Sequence, residues 1–156
     1  MTQFIPAKPD DARLIAVMSK NLIEFGLPWS WNADRIMQRI HDPDSVVLTA
    51  REKEKLTGFA ILHVGMERSH LHLLAVHLTF QRKGIGKGLI NWLEETARTA
   101  GVFFVDLEVR AGNIGAISFY HKLGYRTKGL LPGYYNGRES AVRMTHDLRK
   151  CIPKTA

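Results

Sequence analysis

Apolar positions divide the chain into short strands and amphipathic helices. Phe4 to Ala7 is a short apolar run that reads as a strand, and Pro9-Asp10-Asp11 then supplies a helix start. Leu14, Ile15, Met18, Leu22 and Phe25 recur at helical spacing up to Gly26-Leu27-Pro28. Trp29-Ser30-Trp31-Asn32 opens a second helical pattern through Ile36, Met37 and Ile40, which His41-Asp42-Pro43 stops. Val46 to Leu48 and Phe59 to Leu62 flank the charged stretch Arg51 to Lys55 and predict an antiparallel hairpin. Leu71 to Val76 predicts a strand. After a glycine run, Leu89, Ile90, Leu93 and Ala97 mark the inner face of a helix whose Glu94, Glu95 and Arg98 are expected to face water, with Gly101 as its left-handed cap. Val102 to Val105 and Leu107 to Val109 form the next strand. Asn113 can then N-cap a helix running to Leu123, which Gly124 ends. Tyr125 to Leu130 and Ala141 to Met144 supply two last strands around turns at Pro132-Gly133 and Asn136-Gly137. This order predicts a mixed α/β sheet, not a strictly alternating parallel one.

Composition narrows the setting. The 156 residues, 45% hydrophobic and 24% charged, fit one globular domain spanning 1–156. No run approaches the ~20 apolar residues of a membrane span, and the opening residues lack a signal-like stretch, so a cytoplasmic protein without membrane partners is expected. The lone cysteine, Cys151, allows neither an internal disulfide nor a cysteine-based metal cluster and is expected to be functionally silent. A net charge of +7 favours anionic partners, which include nucleic acid, acidic protein surfaces and polyphosphate-bearing coenzymes.

The glycine run is the first candidate for chemistry. It places Gly84, Gly86 and Gly88 between a strand and a helix, where unpaired N–H groups and the helix dipole attract anions, and Arg82, Lys83 and Lys87 add positive charge. A side chain at Gly84 or Gly86 would hold a phosphate away from those amides. A plain capping turn with surface lysines is the alternative. The spacing excludes a P-loop, because Gly88 and Leu89 follow Lys87, and it excludes the dinucleotide fingerprint, whose third glycine is displaced.

From Leu71 to Met144 the chain resembles the GNAT superfamily of N-acetyltransferases. The family's Gln/Arg-x-x-Gly-x-Gly/Ala motif is matched by Gln81-Arg82-Lys83-Gly84-Ile85-Gly86. Leu107 to Arg110, Asn113, Ala116, Phe119-Tyr120, Leu123-Gly124-Tyr125 and Tyr134-Tyr135 to Arg138-Glu139 look most like the branch that acetylates protein N-termini, such as the ribosomal-protein alanine acetyltransferases. The resemblance implies a twisted, mostly antiparallel sheet of about seven strands with about four helices. It also implies acetyl-CoA as co-substrate and no metal. Its site residues would be the backbone of Leu74, Ala75 and Val76 on the pantetheine arm, Gln81, Arg82, Lys83, Gly84, Ile85, Gly86 and Lys87 around the pyrophosphate, and Asn113 on the coenzyme. An open strand edge can pair with pantetheine's two amides as it pairs with a peptide, without particular side chains. The chain departs from the family pattern at His77-Leu78-Thr79, where many relatives carry an acidic or turn residue and a proline.

Acetyl transfer to an amine needs a neutral nucleophile, a polarised carbonyl and a proton for the leaving thiolate. Glu108 shares a strand face with Asp106 and Arg110, so its carboxylate can reach a cleft or pair with a nearby cation. The resemblance makes Glu108 the general base. It makes Tyr120, on the helix face of Asn113 and Ile117, the general acid, where the residues alone leave a core aromatic open. His70 and His72 share a strand face, either as alternative bases or as solvent-facing residues, with no further cluster to make a metal site. Trp29, Trp31, Tyr134 and Tyr135 can line an acceptor groove or anchor the core. The expected acceptor is a protein or peptide N-terminus. A small amine such as a polyamine, amino acid or drug is the alternative, and a non-catalytic acyl-CoA sensor a third reading. Nucleic acid is not expected as a direct substrate, and the chain is expected as a monomer or homodimer.

Overall fold

The structure, a computed structural model, describes residues 1–151 except the side chains of residues 150 and 151. The expectation for the thiol of Cys151 therefore lies outside the described residues. Seven strands form one sheet: β1 (Thr2–Pro6), β2 (Ser45–Glu52), β3 (Lys55–Val64), β4 (Ser69–Val76), β5 (Phe104–Arg110), β6 (Arg126–Tyr135) and β7 (Glu139–Asp147). Four helices accompany it: α1 (Ala12–Leu22), α2 (Ala33–His41), α3 (Ile85–Thr99) and α4 (Ile114–Lys122). The sheet order is β1-β2-β3-β4-β5-β7-β6, and β4–β5 is the one parallel pair in it. Parallel neighbours need a long crossover, which here contains α3.

Alternation along the inner strands builds two cores. Leu48, Ala60 and Leu62 point to the face covered by Leu89, Ile90 and Leu93 of α3, while Val47, Phe59 and Ile61 point to the face covered by Ile15 of α1 and Ile36 of α2. A strand buried on both faces reads as an unbroken apolar run, as β3 does. In β4 the parity breaks. Leu71 pairs with Leu62 but Leu73 pairs with Ile61, so His72 is an extra residue bulged into the strand. Leu71 and Leu73 consequently enter opposite cores.

Several expectations need correction. α1 ends at Leu22, leaving Phe25 in the loop beyond it, and Leu14 faces outward while Ile15, Ala16 and Ser19 are buried. Buried Glu24 organises that loop by accepting from the Ser19 hydroxyl (3.2 Å), Ser30 N–H (2.9 Å) and Trp31 N–H (3.2 Å). β6 continues through Pro132 and Gly133 with a register shift, and the hairpin turns at Asn136-Gly137, both at positive φ as a type I′ turn requires. Glu94, expected in water, is 5% exposed and sits in the core. Its Oε2 accepts from the Tyr125 hydroxyl at 3.0 Å and lies 2.7 Å from His146 Nδ1.

Candidate active site

β4 and β5 hold together over only three residue pairs, Ser69 with Val105, His70 with Asp106 and Leu71 with Leu107, and then diverge. Past the bulge, β4 keeps its pairing to β3 through Ala75 with Phe59 and Val76 with Gly58, while its other edge has no strand partner. A cavity of about 120 Å³ occupies the crotch, with Leu74, Glu108, Asn113, Tyr120 and Tyr135 among its walls. It adjoins a cleft of about 720 Å³ through the shared residues Leu74, Asn113 and Ala116.

That cleft gathers Leu74, Ala75, Val76, Gln81, Arg82, Gly84, Ile85, Gly86, Lys87 and Asn113. Lys83 does not line it, and its Nζ lies 5.2 Å from the Phe80 ring instead. The Gln81 amide donates to the Val76 carbonyl at 3.0 Å, which ties the loop to the end of β4. The three glycines have different tasks. Gly84 caps α3 at φ +81°, a left-handed conformation that most residues resist, and a Cβ there would meet open space. At Gly86 a Cβ would come within 3.1 Å of Phe119, and at Gly88 it would collide with the Phe4 ring, so Gly88 serves the contact of α3 with β1. At the entry to the loop, His77 Nδ1 accepts from the Thr79 N–H at 3.3 Å and caps the short turn of Leu78 to Phe80. Asn113 caps α4 by accepting from the Ala116 N–H at 3.1 Å.

Glu108 stands between the crotch and a third cavity, an open groove of about 900 Å³ containing His70, Asp106, Tyr134 and Arg143. Its Oε1 lies 2.6 Å from His70 Nε2 and accepts from the Tyr134 hydroxyl at 3.2 Å, and its Oε2 accepts from Arg143 Nε at 3.2 Å. Burial pushes the carboxyl up, but the hydrogen bonds and charges of His70 and Arg143 outweigh it and hold Glu108 below the ordinary glutamate value. Asp106 is engaged by both Nε and Nη2 of Arg68, at 2.6 and 2.7 Å, and by the Thr145 hydroxyl at 2.6 Å. Tyr120 is buried at 8% exposure, and that burial, with Tyr135 nearby, raises its phenol well above the usual value.

Of the four aromatics expected at an acceptor groove, Tyr134 and Tyr135 lie beside Glu108 and in the crotch, respectively. Trp29 and Trp31 line none of the three cavities. Trp31, 7% exposed, joins the α1/α2 core with its ring centre 5.6 Å from that of His72, under the guanidinium of Arg35. Two arginines at the site escaped sequence reading: Arg143 sits directly across from Glu108 in the β5–β7 register, and Arg68 holds Asp106. No local signal separates them from other surface arginines, because strand register selects them. Arg110, on the strand face of Glu108, is not its partner and donates to the Phe25 carbonyl at 2.7 Å.

His70 and His72 are half-buried, a correction to the solvent-facing reading, with ring centres 4.4 Å apart. Burial first, and then the charges of His70, Arg39, His63 and Arg35, lower His72 to about 4. Between pH ~6.5 and about 4 the unfolded chain therefore binds a proton that the folded chain refuses, so stability falls as pH falls. Discounted for partial exposure, the loss is about 1–2 kcal/mol. Urea denaturation at pH 7 and pH 4.5 should show His72→Phe losing less stability across that interval than the parent chain. Equal losses would place the acid sensitivity elsewhere.

Among the described residues no helix is long and apolar enough to cross a membrane, and no group of three or more His, Cys, Asp or Glu is placed to hold a metal ion. The model of the acetyltransferase (GNAT) family matches residues 14–125. The ribosomal protein bS18-alanine N-acetyltransferase of Salmonella typhimurium is 36% identical over 94 residues, covering 58% of this chain and 64% of that protein. Its Escherichia coli counterpart is 37% identical over 93 residues, covering 58% and 63%. The matched stretch thus spans a little under two thirds of those relatives. The crystal structure of the ribosomal-protein-S18-alanine N-acetyltransferase from Escherichia coli superposes with a TM-score of 0.82 at 26% identity, over 95% of this chain and 94% of that one. The parted strands, the glycine loop at the head of α3 and a family match across most of the chain lead to one conclusion: the chain belongs to the GNAT acetyltransferase family.

Proposed function

We propose that the chain transfers the acetyl group of acetyl-CoA to a primary amine, and that its acceptor is the N-terminal α-amine of a protein or peptide. The observation that carries this reading is the crotch between β4 and β5, where Glu108 and Tyr120 share one small cavity that adjoins the glycine-loop cleft. The residues present suit the coenzyme. The unpaired edge of Leu74 to Val76 offers backbone groups to amides, and the N–H groups opening α3, with Arg82 and Lys87, suit a pyrophosphate. Acetyl-CoA supplies a thioester whose carbonyl carbon is attacked by the amine and whose thiolate departs. Tyr120 stays protonated and so holds a proton for that thiolate. Deprotonation of the acceptor falls to the cluster around Glu108. An α-amine titrates near ~8, so a weak base suffices at neutral pH. The preference for a protein N-terminus draws on the bS18-alanine acetyltransferases and on Tyr134, which brings a hydroxyl and a flat ring to the open groove beside Glu108.

The test is release of free CoA from acetyl-CoA in the presence of peptides differing in their first residue and, separately, of small amines. Turnover with peptides supports the proposal. Turnover confined to small amines would replace the acceptor, and coenzyme binding without any turnover would make the chain an acyl-CoA sensor. Gly84→Asp should weaken acetyl-CoA binding at least about tenfold, about 1.4 kcal/mol, by setting a carboxylate where the pyrophosphate sits. Gly84→Ala, which meets no neighbour, controls for backbone strain alone. Calorimetric affinities equal for Gly84→Asp and Gly84→Ala would move the phosphates away from this loop.

A further inference from the structure

The base of this reaction can be placed more closely. Glu108 is already committed to three donors, His70 Nε2, the Tyr134 hydroxyl and Arg143 Nε, and a carboxylate so engaged is stabilised in its charged form. A 2.6 Å approach of an imidazole nitrogen to a carboxylate oxygen requires the proton to lie between them, so Nε2–H donates to Oε1. His70 Nδ1 makes no hydrogen bond among the described residues. The ring lines the open groove. His70 also lies at the last paired position but one before β4 and β5 part, opposite Asp106 on β5 and His63 on β3.

We infer that His70 is the general base, accepting the amine's proton at Nδ1, and that Glu108 is its positioning residue, fixing the tautomer through Nε2–H. The inference rests on the acetyltransferase reading and goes beyond it by moving the proton from the glutamate to the histidine. As the amine nitrogen bonds to the acyl carbon, its N–H bond breaks and Nδ1–H forms. The carbon–sulfur bond breaks and the thiolate takes the proton of the Tyr120 hydroxyl. The imidazolium then gives its Nδ1 proton to water in the groove, and water returns one to Tyr120. Glu108 and Asp106 favour the imidazolium, while Arg143 and Arg68, and His63 when protonated, oppose it; His72 is uncharged above about pH 4, and Tyr134 contributes only a hydroxyl to Glu108. A carboxylate–imidazole pair with one nitrogen anchored and the other free is the general-base arrangement of hydrolytic triads.

His70→Gln is the decisive variant, because a glutamine amide can donate to Glu108 from the Nε2 position but carries no titratable nitrogen. It should lower kcat/KM about 10²-fold or more with the KM for acetyl-CoA unchanged, and it should abolish the acid limb of the pH–rate profile. Glu108→Gln should retain that limb and move it to lower pH, since the charge favouring imidazolium is gone. The inference fails if His70→Gln keeps the limb and near-parental turnover while Glu108→Gln abolishes it, which would return the base to Glu108. Nitrogen-15 chemical shifts of His70 in the free protein supply a readout independent of turnover. They should show protonated Nε2 and unprotonated Nδ1 at pH 8, and the opposite tautomer overturns the assignment. A parent chain with no turnover on any amine would instead count against the acetyltransferase reading, leaving the tautomer to decide the His70–Glu108 pairing.

Discussion

Tyr120→Phe is expected to lower kcat by about 10²–10³-fold while leaving the KM for acetyl-CoA within about twofold, because in the proposed reaction the hydroxyl protonates the departing thiolate and does not hold the coenzyme. The cavity geometry isolates that effect. The Tyr120 ring packs at 5.1 Å from Phe119 and 5.4 Å from Tyr125, and both contacts survive in phenylalanine. The hydroxyl makes no hydrogen bond among the described residues, and burial keeps it protonated throughout the working pH range. The folded state should therefore tolerate the change, with stability altered by less than about 1 kcal/mol. Steady-state kinetics with saturating acceptor, alongside thermal unfolding, separate the two quantities. A turnover number equal to that of the parent chain would remove Tyr120 from the acid role and make it one more aromatic of the α4 core.

Glu94→Ala should lower stability by about 2–4 kcal/mol, since a buried polar group that loses its acceptor costs about 1–3 kcal/mol and the shortened side chain leaves a cavity. Glu94 is enclosed on α3, and the same carboxylate oxygen receives the Tyr125 hydroxyl and meets His146 Nδ1. The three side chains join α3 to the segment after α4 and to β7. Tyr125 in turn lies between His146, tilted at 4.9 Å, and Tyr120, edge-on at 5.4 Å. Loss of Glu94 thus also loosens the ring behind the acid. Glu94→Gln retains an acceptor for Tyr125 and should cost about half as much. Urea denaturation provides the measurement. A change within about 0.5 kcal/mol, the usual effect of a surface substitution, would contradict the buried placement.

The sequence located much of this molecule. Asn113 as a cap, Gly101 at a positive φ, the inner faces of α3 and the order of strands and helices were all readable, because each depends on residues within one turn or one strand of each other. The glycine loop at the head of α3 was readable for the same reason: a left-handed glycine at the start of a helix is a local event. Even there the sequence could not divide labour among its glycines. Gly88 yields to Phe4 on β1, a contact across 84 positions of chain, while Lys83 turns to Phe80 and away from the cleft.

What decided the rest was register and packing between distant segments. Helical periodicity put Glu94 and Glu95 together on a wet face, yet a few tens of degrees of rotation, set by how α3 docks against Tyr125 and His146, buried one of them. An alternating pattern made Glu108 a cleft residue but could not supply Arg143 opposite it or His70 beside it, since those partners follow from which strands pair and by how many residues they are offset. The bulge at His72 shifts parity within β4 and leaves no mark in the pattern, because Leu71 and Leu73 are equally apolar whichever core they enter. Sequence alone thus determined the elements, their order and the place of the glycine loop between β4 and α3. Only the tertiary structure decided where the strands part and which side chains meet the carboxylate there, because both are sums of long-range contacts that no local stretch of chain encodes.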